Sequence, residues 1–148
     1  GCSMLIDTEN IKSLNLFDEN IFLYFEEIDF CRQTKLNGGK VFSSSKLIVK
    51  HLGHKGSAAT DPNYTIETEM FRNWHWMWSS FYYHKKYSNY FFALKAMIGK
   101  FLKSFFKMII FTIAYNKKKQ TMYFARFSGL LNAFLGRKSW YRVKSLFK

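Results

Sequence analysis

The sequence predicts an α/β layer followed by amphipathic helices, and three observations carry that expectation. Gly1-Cys2-Ser3-Met4-Leu5-Ile6 is a short apolar run of the kind a buried strand shows. Asn37-Gly38-Gly39 stops a helix that starts near Glu26, and Leu47-Ile48-Val49 then returns as a second buried stretch. Strand, helix and strand in that order suit one layer of an α/β domain. Beyond Pro62, the only proline, long aromatic and basic stretches with few breakers read as helices.

The elements follow in order. Residues 2–6 make the first strand. Phe17-Asp18-Glu19 turns the chain into Ile21-Phe22-Leu23-Tyr24, and the helix begins as the carboxylates Glu26, Glu27 and Asp29 accumulate. Residues 40–50 run extended. Gly53 to Asn63 holds Gly, Ser and Pro62 and is the candidate boundary, dividing a 1–62 unit from a 63–148 helical extension. In that extension Trp74 and Trp78 lie four apart, so on a helix they share a face. From Phe91 to Tyr115 the lysines Lys95, Lys100, Lys103 and Lys107 fall within an arc of roughly 140° at helical spacing. Asn116-Lys117-Lys118-Lys119-Gln120 joins this helix to a second amphipathic one running from Thr121 into a basic end.

Composition narrows the class of protein. With 148 residues and 48% hydrophobic residues the chain can bury a core, which excludes a disordered tail. Cys2 and Cys31 build neither a disulfide framework nor a metal knuckle. No signal-peptide pattern precedes Lys12, and the strand-like opening without a preceding turn reads as a cut just ahead of a central strand. The net charge of +13 is divided unevenly: all ten carboxylates lie at or before Glu69, and sixteen Lys and Arg follow it. Such a block seeks an anionic surface. The longest apolar stretch, Met108 to Tyr115, is far short of the roughly 20 residues that span a bilayer. An amphipathic helix lying in a leaflet, lysines toward anionic headgroups, is the expected arrangement.

The acidic turn admits two readings. Carboxylates at a helix N-terminus offset the backbone dipole by about 0.3–1 kcal/mol each. A carboxylate placed there also stays ionised, faces outward and can act as a general base. Glycosyl transfer needs such a group, because the acceptor hydroxyl loses its proton as it attacks the anomeric carbon. Phe22, Tyr24 and Phe25 would restrict the water that competes for that carbon.

The run Phe17-Asp18-Glu19-Asn20-Ile21-Phe22-Leu23-Tyr24-Phe25-Glu26-Glu27-Ile28-Asp29-Phe30-Cys31-Arg32 resembles the acceptor-side signature of family 2 glycosyltransferases, closest to the rhamnosyltransferase-like branch. Gly1 to Ile6 is similar to the strand before that signature. The likeness covers residues 1–57 well and continues more loosely, with Arg72-Asn73-Trp74-His75-Trp76-Met77-Trp78-Ser79 resembling a later segment.

The resemblance implies a partial GT-A (Rossmann-like) domain, a nucleotide-sugar donor and inversion by single displacement onto a glycan or lipid-linked acceptor. Its Glu-Asp pair supplies the base from the second member, which here is Glu27, with Glu26 and Asp29 as alternatives. Tyr24, Trp74, Trp76 and Trp78 become acceptor contacts. Family members carry a His before Gly and Ser in the loop after the second strand, so His51, with His54 as runner-up, would help hold a divalent metal (Mg or Mn). The main metal ligands, an Asp-x-Asp motif, are expected upstream of Gly1. The implied setting is polysaccharide biosynthesis at the cytoplasmic face of the inner membrane, with peripheral attachment.

Two other classes compete. The basic aromatic half could bind single-stranded nucleic acid by stacking and phosphate contacts. Its aromatics recur at helical rather than sheet spacing, however, and no RNA-binding motif occurs, so nucleic acid is the weaker partner. A membrane-docking segment without chemistry is the other alternative.

Overall fold

In the computed structural model, residues 3–9, 17–50 and 62–142 are described, with side chains from residue 66 onward in the helix that begins at Pro62. They form four helices: α1 (Glu26–Leu36), α2 (Pro62–Tyr87), α3 (Tyr90–Ile113) and α4 (Lys117–Phe134). No strand occurs among the described residues.

The α/β expectation is therefore overturned, and the partial GT-A (Rossmann-like) domain with it. Residues 3–7 and 40–50 run without strand pairing, and Leu5 and Ile48 are 84% and 92% exposed. A short apolar run signals a preference for burial but not a partner. Strand pairing requires neighbouring N–H and C=O groups, and none of the described segments supplies them. The proposed boundary from Gly53 falls largely on residues outside those described, as do His51 and His54.

The helices have local causes. Asn37 and Gly38 end α1, with Gly38 at φ 80° in the left-handed region that glycine enters without penalty. Asn89 separates α2 from α3 within the aromatic run: its side chain accepts from the Phe92 amide at 2.9 Å and caps α3. Asn116 does the same for α4 through Lys119 N at 3.1 Å. The expected linker from Asn116 to Gln120 is thus mostly the first turn of α4, and the three lysines are helical.

α2 is the central element, packing against both α3 and α4, which also pack on each other. Trp74, Met77, Trp78 and Phe81 from α2 meet Ala93 and Met97 from α3 and Ala125, Leu130 and Ala133 from α4. Gly129 lets α4 approach α2 closely, since a Cβ there would lie 2.4 Å from the Trp74 carbonyl oxygen. The segment after α4 returns across α2. Trp78 Nε1 donates to the Arg137 carbonyl at 2.9 Å, and His75 Nε2 lies 2.8 Å from the Tyr141 carbonyl.

Residues 17–36 cover the other side of α2. Ser79 Oγ donates to the Leu23 carbonyl at 2.8 Å, Tyr82 donates to Asp18, and Tyr87 donates to the Asp29 carbonyl. Phe30 and Thr34 are the buried anchors of α1. One long helix therefore holds the acidic turn and the bundle together.

Candidate functional site

The entry to α1 departs from ordinary helix starts. Tyr24 and Phe25, neither of them glycine, sit at φ 65° and 74°. Consecutive left-handed aromatics are costly, of order 1–3 kcal/mol each, and persist only where surrounding contacts hold them. Those contacts come from α2. Trp76 packs against both rings, at centroid separations of 5.2 Å to Tyr24 and 5.5 Å to Phe25, and Phe25 also meets Tyr83. Phe25 occupies the N-cap position with no side-chain cap, where Ser, Thr, Asp or Asn is usual.

This turn fixes where the three acidic residues go. Asp29 is fully buried, and its Oδ2 accepts from Lys86 Nζ at 2.8 Å and from Gln33. Lys86 also binds Asp18 at 2.7 Å, so one ammonium clamps two carboxylates from separate segments. Burial alone would lower the Lys86 pKa, but the hydrogen bonds to Asp18 and Asp29 outweigh it and hold it up at about 12. Burial likewise would raise Asp18, yet donation from Lys86, Asn20 and Tyr82 brings it down to about 2. A buried carboxylate held by an ammonium is a structural tie and has no access to a substrate proton. Glu26 and Glu27 stand half-buried in the same first turn, nearer the surface.

The α2 side of the site follows helical spacing. Glu69, Arg72, Trp76 and Tyr83 recur at intervals of three, four and seven residues and so share one stripe. Tyr24 sits among their charges: burial raises its phenol pKa, Arg72 opposes that, and Glu69 and Glu26 add to it. Asn73 ties this end to α4, donating to the Glu69 carbonyl and accepting from Arg126 Nε at 2.7 Å. Beyond Tyr83, Arg32 stacks over Tyr87 with its guanidinium carbon 4.2 Å from the ring centroid. The result is a surface of Tyr24, Trp76 and Arg72 at the turn that carries Glu26 and Glu27, with one Glu26 carboxylate oxygen buried and without a hydrogen-bond partner.

The sequence-assigned contacts divide accordingly. Trp76 is 46% exposed beside the acidic turn, while Trp74 and Trp78 are core residues at 2% and 4%. Trp78 stacks on Tyr82 and Trp74 packs among His75, Trp140 and Tyr141, so both serve packing. Arg72, Glu69 and Lys86 went unassigned in the sequence reading. Counting four and seven residues back from Trp76 finds Arg72 and Glu69, and ten residues on finds Lys86, since all three return to the α1-facing side of the helix.

His75 is fully buried between Ser139 and Tyr141. Burial lowers its pKa to about 4, so the ring is neutral near pH 7. A neutral ring with Nε2 against a carbonyl must donate there, and Nδ1 then accepts from Ser139 Oγ at 3.0 Å. Both nitrogens are used, which makes His75 a clasp for the returning chain. No group of three or more His, Cys, Asp or Glu able to hold a metal occurs among the described residues.

Compared with family models, curated proteins and solved structures, the chain shows no significant match to any of the three.

Proposed function

We propose that this chain carries the acceptor side of an inverting glycosyltransferase of the family 2 type. The observation that carries this reading is the entry to α1. Two left-handed aromatic residues, an absent N-cap and an exposed Trp76 surround the Glu26–Glu27 pair, and local rules are broken in this way chiefly where function maintains the strain. The reading rests on this helix start and its likeness to the acceptor signature.

In this mechanism Glu27 accepts the proton of an acceptor hydroxyl. The hydroxyl oxygen forms a bond to the anomeric carbon, and the bond from that carbon to the nucleotide diphosphate breaks with inversion. Trp76 and Tyr24 offer ring faces to a sugar of a glycan or lipid-linked acceptor, and Arg72 supplies positive charge beside them. Glu26 is the neighbouring alternative for the base. The nucleotide-sugar donor is assigned to a part of the enzyme upstream of this segment. His51 stays the candidate contact for a divalent ion, whose main ligands would lie outside the described residues.

The test is Glu27→Gln in the enzyme that carries this segment, assayed for sugar transfer. A fall in kcat of about 10²–10⁴ is expected for a lost general base, with thermal stability kept. Turnover within a few-fold of the parent would remove Glu27 from the role, and the same loss in Glu26→Gln alone would reassign it.

A further inference from the structure

The outer face of α3 is apolar and uncovered. Ile98, Leu102, Phe106, Ile109, Ile110 and Ile113 are each between 39% and 72% exposed. At 100° per residue these six fall within an arc of about 120°. The opposite side of α3 carries Ala93, Met97 and Ser104 into the bundle, so the exposed arc is not a second core face. A solvated helix of a soluble bundle would place polar residues there.

Charge identifies the occupant. Lys100, Lys103 and Lys107 occupy the sector bordering the apolar arc, and Lys107 donates to Tyr123 on α4 at 3.1 Å. The far end of the stripe runs through exposed Tyr115 into Lys117, Lys118 and Lys119. No carboxylate occurs anywhere after Glu69. A second copy of the chain would bring lysine borders of the same sign together, and such like-charge pairing disfavours an isologous contact. Nucleic acid would want the cations central, whereas here they line one edge of a broad apolar surface that phosphates cannot use. No described helix is long and apolar enough to cross a membrane, so the face can only lie along one.

We propose that α3 docks flat on an anionic phospholipid surface, its Ile98–Ile113 stripe inserted at the acyl boundary and the bordering lysines on the headgroups. Lys95 interrupts the stripe one turn ahead of Ile98, so contact is made by the last four turns of the helix. At 1.5 Å per residue that is about 24 Å of inserted helix. Attachment combines apolar burial with attraction of about fivefold in affinity per lysine near the surface.

The chain is mixed with vesicles of phosphatidylcholine alone or with one-third phosphatidylglycerol, and sedimented at low and high salt. Binding to the anionic vesicles, weakening as salt rises, is expected. Leu102→Ser with Ile109→Ser should weaken it at least tenfold, and Lys100→Gln with Lys103→Gln about twenty-fivefold. Both pairs are solvent-facing, and an unchanged helical circular-dichroism melt separates lost binding from lost folding. Binding that ignores the serine pair would overturn the proposal, as would stronger binding to a single-stranded RNA competitor, or a dimer that the serine pair dissolves. No sugar donor enters this assay, so its outcome is independent of the transfer chemistry.

Discussion

At the level of single residues, the proposed function gives two carboxylates of one helical turn different parts. Asp29 holds the turn in place and Glu27 is assigned the proton. The two roles predict opposite signatures. Lys86→Met leaves Asp29 buried without its ammonium and should lower stability by about 3 kcal/mol, read from denaturant unfolding. Asp29→Asn should likewise lower the melting temperature while sparing turnover relative to Glu27→Gln. A variant pair with those signatures reversed would mean the roles are exchanged. His75 sets the acid limit. Its folded pKa, about 4, lies below the ordinary 6.5, so the unfolded chain binds more protons between those values. Its contribution is complete above pH 6.5 and is lost as pH falls toward 4, on the order of 3 kcal/mol. Asp18, depressed to about 2, has its own contribution intact down to about pH 4 and loses it below. Unfolding free energy followed from pH 7 to 4 should therefore fall already in the upper window, and His75→Gln should flatten that part of the curve.

Among the elements, α2 decides most of the arrangement, and it was only partly legible in the sequence. The start of α1 at Glu26 and its stop at Asn37-Gly38 could be read because acidic first turns and glycine stops act locally. The break at Asn89 was less visible: one polar residue caps a helix inside an aromatic run, and aromatic spacing hides it. The extended segments were misassigned because apolar preference at Leu47-Ile48-Val49 says nothing about which element would cover it. Trp76 was placed among the acceptor contacts together with Trp74 and Trp78, yet only the 200° rotation between residues two apart separates it from them. The same helix makes a demand on α4. Gly129→Ala adds a methyl against the Trp74 carbonyl, backbone that cannot swing away. The expected loss is about 2 kcal/mol despite the better helix propensity of alanine, measured by chemical denaturation. A neutral or stabilising result would show that α2 and α4 can separate there without cost.

Considered as a whole, the molecule keeps its acidic residues apart from the exposed apolar face of α3. The carboxylates gather at the α1 side of α2, where Lys86 binds two of them. The far side, from α3 onward, is free of acid. If the α3 face meets lipid, the acidic turn is carried on the opposite side of α2, away from the headgroups that would repel it.

The clasp of His75 on the returning chain also bears on how the fold forms and comes apart. α3 and α4 are joined by a short turn and can pair while the rest of the chain is still open. The bonds from His75 to Ser139 and Tyr141 join residues more than sixty positions apart, so they close a much longer loop than either helix–helix turn. Contacts made after the barrier change the rate of opening rather than the rate of closure. The buried imidazole is thus a latch. His75→Gln is expected to speed unfolding while leaving the folding rate close to the parent's, which stopped-flow denaturant jumps would read.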